Sequence, residues 1–205
     1  MNKIFDCLVV GGGINGTGIA LDASGRNMQV ALIESNDLAA GASANSSNLI
    51  HGGLRYLEQG ELGLVRQCLA ERRIMLENAF PIVKPQALLM PYIGQNYPLL
   101  LTRLGLKIYD FFGSSQHIKK SHIVYNDAQL PLQDHINSCV HFNDASTFDS
   151  RLVLLLAKFA RSLGAKIFTR TQVLDVSHKQ NFWLVQLLCK NTGKTFSIKA
   201  KTIVN

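Results

Sequence analysis

The sequence predicts an α/β fold: a Rossmann-like nucleotide-binding domain with a β-meander and an inserted, partly helical segment. Three observations predict it. An apolar run, the spacing Gly11-x-Gly13-x-x-Gly16 and a second apolar run ending on Glu34 follow one another within residues 5–34. An amphipathic stretch over 149–164 leads into short alternating segments with turn residues at 179–181 and 191–193. Between these regions lies chain that is interrupted by prolines and rich in histidine.

Residues 5–10 are bulky, branched and apolar, which suits a strand buried on both faces. Gly11 takes the tight turn that a Cβ would resist. Gly13 lets backbone approach a pyrophosphate, and Gly16 lets the next helix pack close to the strand. That helix opens near Ile14, so its unpaired N–H groups and positive dipole end face the phosphates. It is expected to bury Ile14, Ile19, Ala20 and Ala23 and to end near Gly25. A strand over 29–34 then finishes on Glu34, placed to accept hydrogen bonds from a ribose. A carboxylate there would repel a 2′-phosphate.

Residues 37–48 are nearly all small or hydroxylated. Ser46 or Ser47 suits a helix N-cap, and Ser43, Ser46 and Ser47 can also donate to phosphate or sugar oxygens. Next, His51, Gly52, Gly53, Arg55 and Tyr56 crowd together. A glycine pair weakens a helix, so backbone here is expected to approach something flat or bulky. A helix over 60–79 places Leu62, Val65, Leu69 and Leu76 on one face. Its charges, Arg72 among them, are read as solvated.

Pro81, Pro85 and Pro91 break the next stretch into extended pieces. A strongly apolar amphipathic helix covers 98–112, with Arg103 and Lys107 interspersed; core packing is the first reading and a lipid surface the second. Residues 114–139 read as irregular. His117, His122, His135 and His141 lack metal-ligand spacing and are read as surface or hydrogen-bonding groups. Asp149 then suits an N-cap, Leu152, Leu155, Leu156, Phe159 and Leu163 form a buried stripe, and Gly164 ends the helix. A strand over 166–173 precedes a meander over 174–178, 183–188 and 195–199, and a further apolar strand begins at Thr202.

At 205 residues, 47% apolar and 17% charged, the chain is long enough for a well-buried core and unlike a disordered one. Its formal charge of +7 favours anionic partners. The basic residues are scattered rather than striped with aromatics, which argues against nucleic acid. Cys7, Cys68, Cys139 and Cys189 are far apart and contain no CxxC, so they read as reduced thiols of a cytosolic protein. The N-terminus enters the fold too soon for a signal peptide, and no apolar run reaches the ~20 residues of a membrane span.

The segments GGGINGTGIALDASGR and SSNLIHGGLRYLE resemble the N-terminal part of the FAD-dependent glycerol-3-phosphate dehydrogenases. These are membrane-associated flavoenzymes that pass electrons to quinone. The likeness continues through LVRQCLAERR, GLKIYDFFG and SRLVLLLAKFARSLGAKIFTRTQV. It implies a glutathione-reductase-type FAD-binding fold. Residues 1–80 would form the βαβ core and a flavin-contacting helix, 81–145 an inserted substrate or cap segment, and 146–205 the returning domain.

The resemblance implies non-covalent FAD contacts from Gly11, Gly13, Ile14, Asn15, Gly16, Glu34, Ser35, Ser43, Ser46, Ser47, Leu49, His51, Gly52 and Val173. It implies a catalytic group of His51, Arg55 and Tyr56, with Arg55 gripping the substrate phosphate and competing for that role with a surface pairing to Glu58 or Glu61. His51 is the candidate base, and a histidine fixed beside the flavin by hydrogen bonds is an equal alternative. The reaction would oxidise sn-glycerol 3-phosphate to dihydroxyacetone phosphate, with quinone as acceptor, at the inner face of a cytoplasmic membrane. A related amine or 2-hydroxy-acid oxidase, or a non-catalytic nucleotide-binding module, stays open as an alternative.

Three positions depart from the family pattern. Asn48 stands where a basic residue is usual, 79–81 read Ala-Phe-Pro for Ala-Pro-His, and 92–97 lack the usual histidines and arginines. The chain stops inside an apolar strand, so it is expected to be an N-terminal portion without activity of its own.

Overall fold

In a computed structural model, which describes residues 4–92, 98–125, 136 and 138–205, the chain forms two compact units. The first joins Met1–Ser47 to Phe148–Asn205, and the second is Asn48–Thr147.

The first unit is built on a mixed six-stranded sheet. Strand β1 (Ile4–Val10) runs into helix α1 (Ile14–Gly25), and β2 (Val30–Ile33) returns parallel to β1. Alternate residues of both strands enter different clusters, so both faces are covered. Cys7, Val9, Val30 and Leu32 pack with Ala20, Ala23 and Ala160, while Leu8, Ala31 and Ile33 pack with Val185, Leu187, Ile198 and Ala200. Burial of this kind contributes about 1.5–3 kcal/mol for each large aliphatic side chain.

Helix α5 (Asp149–Ser162) packs with α1 through Ala160, but its buried stripe is rotated from the expected one. Leu152, Val153, Ala157 and Ala160 are inside, whereas Phe159 and Leu163 are more than half exposed. The small residues of α1 explain the rotation, because alanine faces let two helices approach closely. For the same reason Ile14 and Ile19 of α1 stay partly exposed, and Thr17, Ala20, Ala23 and Ser24 are buried instead. The cap of α5 is Phe148 rather than Asp149, which begins the helix and places its charge in the first turn.

The expected strand over 166–173 is two strands. β7 (Lys166–Phe168) joins β2 in parallel, the chain turns at Arg170 with φ +50°, and β8 (Thr171–Lys179) starts the meander. β9 (Phe182–Cys189) follows, and then β10 (Lys194–Val204). The pieces expected at 195–199 and from Thr202 are therefore one strand. β10 pairs antiparallel with β9 and parallel with β1, giving the order β7-β2-β1-β10-β9-β8.

The second unit carries β3 (Leu49–Ile50), α2 (Leu54–Glu58), α3 (Leu62–Asn78), β4 (Lys84–Tyr92), α4 (Leu99–Phe112), β5 (His122–Tyr125) and β6 (Ser138–Ser146). Strand β6 pairs antiparallel with β3, β4 and β5. Residues 48–80, expected with the nucleotide-binding core, fold here because Leu49 and Ile50 pair with Ser146 and Ala145. Pro85 and Pro91 do not break β4, which lies at the sheet edge, where a missing N–H is tolerated. The region read as irregular supplies β5 and the start of β6. His135 and most of 92–97 lie outside the described residues.

Candidate functional site

The first unit positions its polar groups at the carboxyl ends of β1 and β2, where ligands bind in open α/β sheets. Gly11 has φ +110°, the turn that favours glycine. A Cβ on Gly16 would lie 2.0 Å from the Gly11 carbonyl oxygen, so only glycine lets α1 pack against this turn. The Ile14 N–H, at the helix start, donates to Ser43 Oγ at 3.0 Å. A neutral oxygen thus stands where an anionic oxygen would be received by the same amide.

Glu34 closes the other side. Its Oε2 accepts from the Gly12 N–H at 2.7 Å and its Oε1 from the Asn36 N–H at 2.6 Å, with Ser35 Oγ 3.4 Å away. A cleft of about 850 Å³ opens over this turn, lined by Gly11, Gly13, Ile14, Asn15, Gly16, Glu34 and Ser43 among others. An adjoining hollow of about 340 Å³ brings in Ser35, Thr171, Gln172, Val173 and Lys190 beside Gly11 and Glu34. Thr171, Gln172 and Lys190 escaped the sequence reading, because main-chain bonds bring them there: the Thr171 N–H donates to the Glu34 carbonyl and the Lys190 N–H to the Arg170 carbonyl, each at 2.8 Å.

Ser46 and Ser47 do not cap a helix. They are exposed, and the chain goes on into a short 3-10 turn before them and β3 after them; Ser46 donates to the Asp149 carboxylate.

Leu49, His51, Gly52, Arg55 and Tyr56 belong to the second unit. Leu49 is half-buried on β3, and His51 is exposed in the turn after it. What approaches Gly52 is the protein itself: its N–H donates to Tyr109 Oη at 2.9 Å and to Asp144 Oδ1 at 3.2 Å. Gly53, with φ +73°, starts α2. Arg55 is exposed on α2 and, among the described residues, forms no ion pair with Glu58 or Glu61. Tyr56 is half-buried against Val65, Leu69 and Tyr109, a packing role that the sequence reading did not foresee.

Arg72 is the main correction to the charge reading. It is 1% exposed and ion-paired with Asp144, which is 2% exposed. Its Nη1 also donates to the Asn143 carbonyl at 3.1 Å and its Nη2 to the Gly113 carbonyl at 3.0 Å. Tyr109 donates its phenol proton to Asp144, at 2.8 Å from Oδ1 and 3.0 Å from Oδ2. Burial first, then the Asp144 charge, pushes the Tyr109 phenol well above its ordinary range, so it stays protonated as the donor. A signal was present in the sequence: Val65, Leu69, Arg72 and Leu76 recur at helical spacing, and all four are buried.

Helix α4 buries Leu106 and Tyr109. Leu100 and Phe111 are each 79% exposed, and Leu101 and Leu104 are at least half exposed. Leu62 of α3 is likewise 46% exposed. Among the described residues, no helix is long and apolar enough to cross a membrane. His122 and His141 face one another across β5 and β6, with ring centroids 4.6 Å apart.

Comparison with known proteins gives concordant findings. The chain is 41% identical over 203 residues to the glycerol-3-phosphate dehydrogenase of Pseudomonas aeruginosa, covering 99% of this chain and 40% of that protein. It is 39% identical over 203 residues to the D-erythritol 1-phosphate dehydrogenase of Brucella abortus, over 98% of this chain and 40% of that protein. The chain thus spans two fifths of the length of these relatives. A solved glycerol-3-phosphate dehydrogenase from Bacillus halodurans, complexed with FAD, superimposes with a TM-score of 0.71 at 28% identity. That match covers 100% of this chain and 34% of the solved one. Residues 6–205 match the family described as FAD dependent oxidoreductase. The chain therefore belongs to the FAD-dependent oxidoreductase family, with the α/β fold of that family.

Proposed function

We propose that the protein takes part in flavin-dependent oxidation of sn-glycerol 3-phosphate to dihydroxyacetone phosphate, with quinone as the electron acceptor. The observation that carries this reading is the 41% identity, across nearly the whole chain, to a glycerol-3-phosphate dehydrogenase. The residues fit FAD. The amide end of α1, freed from Ser43, would receive the pyrophosphate, and the pinned Glu34 carboxylate would accept from ribose hydroxyls. When bound, FAD supplies the hydride-accepting chemistry.

The protein's own part is to bind, orient and move a proton. Oxidation removes a hydride from substrate C2 and a proton from the C2 hydroxyl. His51, exposed in the turn after β3, is the proposed base. Arg55, exposed and not paired with its neighbouring glutamates, is the proposed phosphate contact, since a guanidinium can grip two phosphate oxygens at once. A second phosphorylated polyol as substrate is favoured by the similarity to the D-erythritol 1-phosphate dehydrogenase. The exposed Leu100, Leu104 and Phe111, with Arg103 and Lys107 on the same helix, support reversible attachment to an anionic lipid surface, for which the inner face of a cytoplasmic membrane is the proposed location.

The test is anaerobic addition of each polyol phosphate to the FAD-loaded full-length protein. Glycerol 3-phosphate should bleach the visible flavin band and yield dihydroxyacetone phosphate. Arg55→Lys should lower kcat/KM roughly tenfold to a hundredfold. A flavin band unchanged by either substrate would overturn the reading, and an unchanged kcat/KM would remove Arg55 from the site.

A further inference from the structure

The interior of the second unit holds a charged network where apolar residues would serve stability as well. A buried ion pair loses in desolvation about what it regains in attraction, so its retention points to something other than stability. What the network does is visible in its partners. Gly52 N–H, Asn143 C=O and Gly113 C=O are all main-chain groups, and they come from the turn after β3, from β6 and from the end of α4. Arg72, Asp144 and Tyr109 therefore tie three backbone segments to one another and to α3.

The packing around Gly52 is equally tight. A Cβ there would lie 2.1 Å from Leu69 Cδ2 and 2.5 Å from Tyr109 Oη. At Gly113 a Cβ would lie 2.5 Å from Arg72 Nη2. The turn is held at its centre by a fixed amide, while His51 just before it and Arg55 just after it are exposed.

We propose that Arg72, Asp144 and Tyr109 are positioning residues, which hold the Gly52 amide so that the turn presents His51 and Arg55 in one arrangement to a phosphorylated substrate. The proposal rests on the function given above for the part played by His51 and Arg55. The holding of the turn rests on the hydrogen bonds alone.

Tyr109→Phe tests it, because the change removes one oxygen and keeps the ring. In the FAD-loaded protein without substrate, hydrogen exchange of the Gly52 amide should rise at least roughly tenfold more than that of the α3 amides, which report the general loss of stability. With glycerol 3-phosphate, kcat/KM should fall about tenfold. Combined with Arg55→Lys, it should fall little further than with Arg55→Lys alone, because a misplaced arginine has less to lose. Exchange at Gly52 equal to wild type, or losses that simply multiply, would overturn the proposal. If wild-type protein does not act on glycerol 3-phosphate, the functional reading falls, and the exchange measurement alone decides whether the network holds the turn. Should Tyr109→Phe not fold, hydrogen exchange of the wild type decides: the Gly52 amide should exchange at least roughly tenfold more slowly than an unstructured amide, and exchange at the unstructured rate would overturn the proposal.

Discussion

The amide of Gly12 donates to Glu34 Oε2 at 2.7 Å, tying the turn after β1 to the acid that ends β2. With the Asn36 amide on Oε1, the carboxylate is fixed before any ligand arrives, and its remaining lone pairs line the cleft. Glu34→Ala should weaken FAD binding by about 1.5–3 kcal/mol, roughly tenfold to a hundredfold in Kd. Titration followed by flavin fluorescence measures it, and an unchanged Kd would take Glu34 out of the site.

Two glycines of α1 should respond in opposite directions. Gly16→Ala drives a methyl against the Gly11 carbonyl, a backbone group that cannot step aside, and should cost about 1–3 kcal/mol or more. Gly18→Ala meets nothing within 4 Å and should stabilise the helix by about 0.5–1 kcal/mol. Denaturant midpoints without FAD separate the two. Equal effects would mean that the close approach of α1 to the turn is not what Gly16 serves.

Removing one member of the buried pair should be far worse than removing both. Asp144→Leu leaves the Arg72 guanidinium buried without its counter-charge and should cost about 3–5 kcal/mol. Arg72→Met with Asp144→Leu should recover most of that loss, leaving the carbonyls of Asn143 and Gly113 short of donors and the Tyr109 hydroxyl short of its acceptor. A double-mutant cycle from urea unfolding gives the coupling. Additive losses would show that the two side chains act independently.

His141 should make stability depend on pH near neutrality. Burial, then the positive charges of His122 and Lys119, hold its imidazole below the ordinary histidine range. The unfolded chain takes up that proton at about pH 6.5, and the folded protein only at lower pH. The unfolded state therefore binds more protons in this window, and stability falls as the pH drops through it. The melting temperature should decrease from about pH 7.5 to about pH 5.5, and His141→Gln should flatten that slope. Identical slopes would assign the dependence to other groups.

The βαβ unit was legible because its signals are local: an apolar run, a turn that needs glycine at Gly11, and a helix that comes at once. Strand β6 was not, because His141, Asn143 and Asp144 interrupt any apolar pattern. Burial of Asn143 and Asp144 is made tolerable by Arg72, Tyr109 and the Lys119 carbonyl, groups far away in sequence. The stripe of α5 was misplaced because helical spacing favours its largest side chains, whereas the alanines of α1 accept only small ones. Arg72 shows the reverse case. Its spacing from Leu69 and Leu76 was correct for the buried face, and its charge argued against a position that only Asp144 makes acceptable. Of the candidate site, the turn, Glu34 and Ser43 were readable, whereas Ser46 and Ser47 do not line the cleft. The backbone carbonyls and amides that hold Gly52 were not, since they leave no mark on residue type.

The place of β10 beside β1 sets a timetable for folding. Ile4 is registered with Lys199 and Val9 with Val204, so one side of β1 is completed only once β10 has been made, nearly 200 residues later. During synthesis β1 and β2 emerge with that edge open, while the contiguous Asn48–Thr147 unit can close on its own contacts. An apolar strand left waiting with an unpaired edge is what chaperones shield and what aggregation exploits. Slowing translation should therefore aid assembly of the second unit but lengthen the exposure of β1.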